Sequence, residues 1–444
     1  MRTGWRKLLP AAAALAAVLT ISIMSWQVYG AKEQGRFELK DVSGDRAALN
    51  DVIIRGLVGD SYYRTVFQIE RGEVTTASEI YARPSLLAGS SIIPGGEKRI
   101  GSRYYSIFGH GSFEVRYNER KQGMITGSGK LDVMFPELIY PEGEGEGSLS
   151  SGSPTASGGG QADATEFHAT YTNGLEYGLA EIGDKLYFTV PTTKEYKGEN
   201  SIYALSFDGG ASKRLVAIDL SGGQTEVLGL EAVGNRLVLI RTEGTQLLVS
   251  AYDPASGKRV GEAAVPDFLA GRDADSRTDA GTKGGNHSEN YEAFADDERM
   301  TLELSFRRSG DDNVKNGHVP RTIISLDLSD GVQLDGDLRV TFRDGEQSPT
   351  FDSSYMTHKD DRLYIVRIVR SVENDERSYD LTWPRHFWID VYQAGKSVYR
   401  GELLTDVNDD LIGAINYEMT HSGFTYDERV IRTFRELSIK LRNN

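Results

Sequence analysis

The stretch GNRLVL at residues 234–239 decides the fold, because its pattern recurs along the chain. In each copy a polar turn and a basic residue lead into an apolar strand. Further copies are GDKLYF at 183–188, DERMTL at 297–302, DDRLYI at 360–365 and, in weaker form, DERVI at 427–431. The uneven spacing of about 50 to 65 residues predicts four-stranded units that carry loop insertions of different lengths.

A second motif ends a later strand of each unit with a polar residue and a Gly turn. Asp219, Asp253 and Asp327 stand where such a strand enters its turn. We expect their carboxylates to accept hydrogen bonds from the backbone amides that follow, while the glycines supply a positive φ. A structural role explains these residues without any ligand. The copies are AIDLSGG at 217–223, AYDPASGK at 251–258, SLDLSDG at 325–331 and DVYQAGK at 390–396, with FQIERG at 67–72 as an earlier relative.

At these turns the chain resembles β-propellers built of quinoprotein-type repeats, in which a strand ending in Leu-Asp precedes a turn ending in Gly-Lys. The resemblance covers roughly residues 180 to 405. Such repeats commonly carry a Trp soon after the Gly-Lys turn, whereas Val260 and Val398 stand there in this chain. No quinone site is therefore carried over. The resemblance implies an all-β, propeller-like fold of four-stranded blades, six or seven in number.

The first thirty residues have the composition of an export signal, because three basic residues precede an uncharged run at 8–30. Val28 and Gly30 are small enough for a signal-peptide cleavage site before Ala31. The same run is also close to the roughly 20 residues that a membrane-spanning helix needs. A cleaved signal peptide and a membrane anchor both stay open. Either one places the rest of the chain outside the cytoplasm, because the basic flank stays inside.

Composition excludes several classes of site and ligand. The chain has no cysteine, so disulfides, thiolate nucleophiles, iron–sulfur clusters and Cys-ligated zinc are excluded. The net charge is −15, and it becomes −18 without the three basic residues of the export segment. So acidic a chain repels nucleic acid and anionic lipid headgroups, and we expect neither as a ligand. We expect a monomer that its charge keeps soluble.

Low-complexity sequence divides the chain into parts. The Gly/Ser-rich segment 141–164 cannot bury apolar surface and predicts a linker or a long loop. We therefore predict a signal peptide or membrane anchor at 1–30 and a β-rich N-terminal part at 31–140. That part consists of further blades or of a separate β-domain. Propeller-like repeats follow at 165–444.

One acidic segment has the alternating oxygen ligands of a calcium loop, at Asp406, Asn408 and Asp410. However, Leu411 stands where the sharp turn needs Gly, and Tyr417 stands where a bidentate carboxylate is needed. The sequence therefore favours an ordinary acidic surface loop there. No histidine pair has the spacing of a zinc site, and we predict no metal and no cofactor.

Aromatic residues mark the first place to look for a ligand. Trp383, His386 and Trp388 lie in the one segment after the export signal that contains Trp. Sugar rings stack on aromatic faces, so these three residues are candidate ligand-binding residues. Filling of the core between sheets is the simpler explanation. Strand alternation would then send Phe387 and Trp388 to opposite faces of a sheet.

Two functions fit the sequence. The first is a non-catalytic, extracytoplasmic protein, anchored through residues 8–30 or secreted, that binds an envelope protein or a wall polymer as a scaffold or a sensor module. The alternative is a polysaccharide hydrolase or lyase that collects carboxylates and a histidine such as His386 on one propeller face. No GxSxG or HExxH motif supports an enzyme. A cluster of acids with perturbed pKa values would favour the enzyme.

Overall fold

The structure is a computed structural model, and it describes most of the chain after residue 36 together with three residues before it. The described residues are 19, 20, 22, 37–59, 63–80, 98–109, 113–121, 124–133, 137–139, 175–194, 196–208, 211–268, 291–307, 318–343, 353–370, 385–405 and 433–442. The fifth, weaker copy of the repeat, at 427–431, lies outside these ranges.

The described residues form twenty-six strands and two short 3-10 helices, Arg46–Leu49 and Leu175–Gly178. The strands are β1 Glu38–Gly44, β2 Val52–Gly59, β3 Tyr63–Glu70, β4 Glu73–Ile80, β5 Lys98–Ile100, β6 Arg103–Gly109, β7 Phe113–Lys121, β8 Met124–Val133, β9 Glu137–Ile139, β10 Leu179–Ile182, β11 Lys185–Phe188, β12 Lys197–Ser206, β13 Lys213–Asp219, β14 Thr225–Val233, β15 Arg236–Glu243, β16 Gln246–Tyr252, β17 Arg259–Val265, β18 Tyr291–Asp296, β19 Thr301–Arg307, β20 His318–Asp327, β21 Gln333–Arg343, β22 Ser353–Lys359, β23 Arg362–Arg370, β24 Arg385–Gln393, β25 Lys396–Leu404 and β26 Thr433–Leu441.

These strands pair into six antiparallel sheets. Four sheets follow the chain: β5 to β8, β10 to β13, β14 to β17 and β18 to β21, with β9 added to β12. The other two have the orders β26-β2-β3-β4 and β1-β25-β24-β23-β22. Four antiparallel strands in sequence are the arrangement of a propeller blade. The predicted all-β, propeller-like fold of four-stranded sheets is confirmed.

The repeat motif forms the hairpin between the first and second strands of a sheet. Gly183 joins β10 to β11 at a φ of 63°, and Gly234 joins β14 to β15 at a φ of 55°. Asp360 takes the same left-handed conformation at a φ of 55° in the copy that begins DDR. The left-handed conformation is easiest for Gly and tolerable for Asp, which explains the residues that recur at this turn.

The second motif works as predicted at all three of its aspartates. A carboxylate oxygen of Asp219 accepts a hydrogen bond from the backbone N–H of Ser221 at 2.8 Å. Asp253 and Asp327 accept the equivalent bonds, both at 2.7 Å, from the backbone N–H groups of Ser256 and Ser329. Hydrogen bonds from the side chain and then from the backbone N–H of the following serine lower the pKa of each aspartate. The expected local, structural role is confirmed.

In the sheet from β14 to β17, the first three strands are largely buried on both faces. Leu237 and Leu239 of β15 belong to a core that includes Leu186 of the preceding sheet. Val238, which lies between them, points to the opposite face of the sheet and packs into a second core with Leu302 of the following sheet. Since Leu237, Val238 and Leu239 are fully buried, their strand reads as a continuous apolar run. The three successive sheets from β10 to β21 therefore pack face to face.

By internal contacts the chain divides into two units. The first contains Met1–Ile92, Ile365–Tyr392 and Lys396–Asn444, and the second contains Ile93–Tyr364 and Gln393–Gly395. In the first unit β1 pairs with β25, and β26 pairs with β2 along its whole length. Strands from both ends of the chain are therefore held by distant partners.

The predicted anchor at 8–30 lies almost entirely outside the described residues. Within the described ranges, no helix has the length and apolar character needed to cross a membrane.

Candidate functional site

Strand β24 separates polar from apolar residues by alternation. Phe387 is fully buried, and its ring lies 5.4 Å from that of Phe67 and 5.5 Å from that of Phe434. His386 and Trp388 are half-buried on the other face of the strand. The predicted separation of Phe387 from Trp388 is therefore confirmed, and the polar face is the candidate site in the first unit.

We call His386, Trp388, Arg400 and Glu402 the His386 face. Nδ1 of His386 lies 2.7 Å from a carboxylate oxygen of Glu402, whose side chain is 11% exposed. The imidazole and indole rings are stacked at a 22° angle, with 6.1 Å between their centroids. The guanidinium carbon of Arg400 lies 5.1 Å from the centre of the Trp388 ring, within the range of a cation–π contact.

The chemistry of this face rests on the orientation of the imidazole. The carboxylate of Glu402, at hydrogen-bond distance from Nδ1, fixes the orientation of the imidazole ring. The described residues offer no hydrogen-bond partner to Nε2, and the His386 side chain is 35% exposed. His386 is therefore an oriented and accessible imidazole beside an aromatic ring.

A buried ion-pair network lies next to the His386 face and holds one of its members, Arg400, in place. Asp390 and Arg367 are almost fully buried, and a terminal nitrogen of Arg367 donates to Asp390 at 3.1 Å. The Arg400 Nε lies 2.9 Å from the other oxygen of Asp390, at ion-pair distance but without the angle of a hydrogen bond. A buried carboxylate needs such compensation. Asp390 therefore holds Arg400 close to Trp388.

The second unit contains a different histidine cluster, made of Glu303, Ser325, Asp335 and His358. Nδ1 of His358 bonds to a carboxylate oxygen of Glu303, and its Nε2 lies 2.5 Å from Asp335 Oδ2. The hydroxyl of Ser325 donates to the second oxygen of Glu303 at 2.5 Å. Glu303 is 1% exposed and His358 is 8% exposed. The cluster is a chain of carboxylate, imidazole and carboxylate that runs from the buried Glu303 to Asp335, whose side chain is 45% exposed.

The pKa of His358 follows from two opposed effects. Burial lowers the pKa of the imidazole, but the bonds to Glu303 and Asp335 outweigh burial and raise the pKa to about 9. The imidazole is therefore a cation at neutral pH, held between two anions. Since both ring nitrogens are used, His358 has neither a free lone pair nor a free N–H for a substrate.

The candidate residues from the sequence have different outcomes. His386 and Trp388 come together on one face, whereas Trp383 lies outside the described residues. The calcium candidates Asp406, Asn408 and Asp410 also lie outside them. Among the described residues, no three His, Cys, Asp or Glu side chains form a group that could hold a metal ion.

Sequence reasoning missed the partners that give the two histidines their chemistry. Glu402 and Arg400 belong to the strand that follows His386 in a hairpin, and strand alternation could have suggested that pairing. Glu303 lies 55 residues before His358, and no local pattern joins them. The cluster around His358 could therefore not be predicted from the sequence.

No protein family and no curated protein matches this chain. Among solved structures, a prolyl endopeptidase is 11% identical, with a TM-score of 0.28, over 81% of this chain and 50% of its own length. The periplasmic gluconolactonase of Pseudomonas aeruginosa is 8% identical, with a TM-score of 0.30, over 78% of this chain and 82% of its own. The Nup133 β-propeller domain of Vanderwaltozyma polyspora is 8% identical, with a TM-score of 0.28, over 83% and 91%. This chain spans half the length of the first of these proteins, and none of the three carries a functional argument.

Proposed function

We propose that this chain is an extracytoplasmic, non-catalytic, propeller-like protein that binds an envelope protein or a wall polymer, as a scaffold or a sensor module. Segment 8–30 either anchors it in the membrane or is removed on export. The observation that carries the proposal is His358, whose two ring nitrogens both bond to carboxylates. A general base needs a free lone pair and a general acid needs a free N–H, so this histidine serves the fold.

Other charged groups in the sheets also form hydrogen bonds or ion pairs with residues of neighbouring strands. Glu262 accepts hydrogen bonds from Ser250 at 2.6 Å and from Arg241 and Arg259, both at 3.0 Å. Asp390 has its own pair of arginines, as described above. Such networks join strands within a sheet and give Glu262 and Asp390 a structural role. They support a scaffold whose function lies at its surface.

The His386 face is the surface that we propose for partner binding. It combines a half-buried Trp, an Arg and a partly exposed His, and protein interfaces are enriched in Trp and Arg. Asp390 already holds Arg400, so the arginine loses less freedom when a partner binds. The fixed ring of Trp388 offers a flat contact for a side chain or a sugar.

Chemical crosslinking on intact cells tests this proposal. The full-length tagged chain is expressed as wild type, as Trp388→Ala and as Leu334→Ala, and captured proteins are identified by mass spectrometry. Leu334 is the control, because it is an apolar side chain 39% exposed on a sheet of the other unit. We expect reproducible capture of one membrane or envelope protein that Trp388→Ala abolishes and Leu334→Ala retains.

The outcomes separate the alternatives. Equal capture by both variants would contradict the use of the His386 face while leaving a protein partner in place. Recovery of the tagged chain alone would contradict a protein partner and direct attention to a wall polymer. Pull-down of the chain by insoluble wall material, with the same two variants, would then decide the polymer case.

A second function is favoured by one observation, the oriented imidazole of His386, whose side chain is 35% exposed. In a polysaccharide hydrolase or lyase, His386 would transfer a proton and Glu402 would hold its tautomer. The full-length chain is assayed for release of reducing ends or unsaturated sugars from wall and capsular polysaccharides. Activity that is lost in His386→Asn and kept in Leu334→Ala would favour the enzyme over the binding protein.

Three further features belong to the proposal. The repeats are of quinoprotein type, which the Leu-Asp strand ends and the Gly257-Lys258 and Gly395-Lys396 turns support. The protein acts without a cofactor. It is a monomer, which its net charge of −15 favours through mutual repulsion of copies.

A further inference from the structure

Strand β1 adds a residue to the surface beside the His386 face. In their sheet, β25 lies between β24 and β1. The pairing of β1 with β25 is regular from Glu38 to Asp41, and it places Lys40 opposite Glu402. Residues opposite each other in neighbouring strands share one face of the sheet, so Lys40 lies on the same face as Glu402 and Arg400. Three neighbouring strands therefore contribute to this surface.

Arg400 has hydrogen-bond donors left for a ligand. Its Nε lies 2.9 Å from Asp390 without forming a hydrogen bond, and Asp390 also bonds to Arg367. In the described part of the chain no acceptor bonds to the terminal nitrogens of Arg400, and its side chain is 27% exposed. A guanidinium can rest on an aromatic ring and still present its fork of N–H donors to a carboxylate. Arg400, held beside Trp388, is therefore a preorganised donor for an acidic group.

Lys40 supplies a second cation. It is exposed and forms no ion pair with the residues that the structure describes. The carboxylate opposite it, that of Glu402, bonds instead to His386. Arg400 lies two residues from Glu402 along β25, so Arg400 and Lys40 are diagonal neighbours with about 7 to 8 Å between their Cα atoms. The surface therefore presents two positive charges at a fixed spacing.

This spacing matches that of an extended peptide. Each residue of an extended chain adds about 3.3 Å and alternate residues share one face, so residues i and i+2 lie about 6.6 Å apart on the same side. Two acidic residues separated by one other residue can therefore reach Arg400 and Lys40 together. Acidic residues that are adjacent in the sequence would point to opposite faces of the peptide.

We propose that Arg400 and Lys40 bind an extended acidic segment of a partner protein, in which two Asp or Glu residues are separated by one other residue. One carboxylate accepts hydrogen bonds from the terminal nitrogens of Arg400, and the other forms an ion pair with Lys40. This chemistry rests on the proposed function, because it describes the protein partner of the same surface.

Neighbouring charges limit the size of the ligand. Glu38 is exposed and lies two residues before Lys40 on the same face of β1, and the whole chain has a net charge of −15. A long polyanion such as an acidic wall polymer would meet both this carboxylate and the general repulsion, and a second copy would bring a further charge of −15. A short segment with two acidic residues needs only the two cations. The charges therefore favour a protein segment.

The test measures binding of two fluorescent peptides to the full-length chain by fluorescence anisotropy. The spaced peptide is Thr-Val-Glu-Thr-Glu-Val-Thr, and the adjacent peptide, Thr-Val-Glu-Glu-Thr-Val-Thr, has the same composition. We expect wild type to bind the spaced peptide about threefold more tightly than the adjacent one. Arg400→Gln should bind the spaced peptide about tenfold more weakly than wild type, and Lys40→Gln about threefold more weakly. Lys440→Gln, which removes an exposed cation from β26, should bind it as wild type does.

Lys40→Gln keeps the test decisive if Arg400→Gln disturbs the fold, which circular dichroism would reveal, because Lys40 is exposed. Equal binding of the spaced peptide by wild type, Arg400→Gln and Lys40→Gln would overturn the proposal. Absence of binding to wild type, or equal binding of the two peptides by wild type, would overturn it as well.

Three further outcomes name other occupants or separate the proposals. Tighter binding of polygalacturonate, lost in both variants, would overturn the proposal by making an acidic polymer the occupant. A dimer by light scattering that Arg400→Gln dissociates would overturn it in favour of a second copy. Cellular capture that needs Trp388 but is unchanged in Arg400→Gln and Lys40→Gln would overturn the acidic segment alone and leave the proposed function standing.

Discussion

Asp390 is a buried carboxylate that two arginines compensate. Replacing it by Asn keeps its size but removes the negative charge that pairs with Arg367, which is fully buried. We expect Asp390→Asn to lower the free energy of unfolding by about 3 kcal/mol. Urea denaturation followed by circular dichroism measures this loss. Asp132→Asn is the control, because the Asp132 side chain is 77% exposed, and equal stability of the two variants would contradict the role of Asp390.

His358 predicts a dependence of stability on pH. Its pKa is about 9 in the folded chain and about 6.5 in an unfolded one, so the charged imidazole stabilises the fold fully below pH 6.5. That contribution, about 3 kcal/mol at most, is lost as the pH rises through 9. We expect the stability difference between wild type and His358→Gln to shrink from pH 6.5 to pH 10 in urea denaturation. Ser325→Ala keeps both bonds of His358 and should follow wild type, and parallel curves for wild type and His358→Gln would disprove the pKa.

Single residues show where the sequence was informative about the site. His386 and Trp388 were found because strand alternation and aromatic composition are local properties. Glu402 was missed because its contact with His386 depends on the pairing of two strands. The His358 cluster joins residues from four different strands, and its chemistry exists only after the sheets are packed. Charged residues that meet only in the folded sheets have no fixed spacing along the sequence, so no sequence pattern identifies them.

Elements approach closely where a glycine permits it, as β14 and β18 do at Gly229. A Cβ at this position would lie 1.9 Å from the hydroxyl oxygen of Tyr291, which bonds to Glu231 at 3.0 Å. We expect Gly229→Ala to destabilise the fold by about 2 kcal/mol through overpacking. Thermal denaturation measures the effect, with Gly336→Ala as a control whose Cβ meets nothing within 4 Å. Adding Tyr291→Phe should recover part of the loss, and a Gly229→Ala variant as stable as the control would contradict the close approach.

At the scale of elements, the sequence predicted hairpins best where turn chemistry is strict. The glycine turns and the Asp219, Asp253 and Asp327 carboxylates use rules that hold over three or four residues. The seven strands between 52 and 133 belong to two four-stranded sheets, one of which β26 completes, and they show little trace of the repeat. These strands pack into sheets with other residues, so a four-stranded sheet also forms where the motif is absent.

The whole molecule depends on strands from both ends of the chain. β26 completes the sheet of β2, and Phe434 places its buried ring 5.5 Å from that of Phe387. We expect removal of residues 433–444 to abolish cooperative thermal unfolding, because β2 would lose its backbone partners on one edge and part of its apolar cover. A chain that lacks only residues 443 and 444 is the control. An unchanged transition in the longer deletion would show that β26 is dispensable.

The pairing of β2 with β26 also imposes an order in time. The sheet that contains β2 cannot close until β26 has been synthesised, because Val52 pairs with Leu441. Contacts between residues so distant in sequence form slowly, and an incomplete sheet exposes its edges to proteases and to other chains. We expect pulse proteolysis during refolding to cut the segment 38–80 until β26 has docked. The fraction of newly made chains that escapes proteolysis therefore depends on how soon β26 docks.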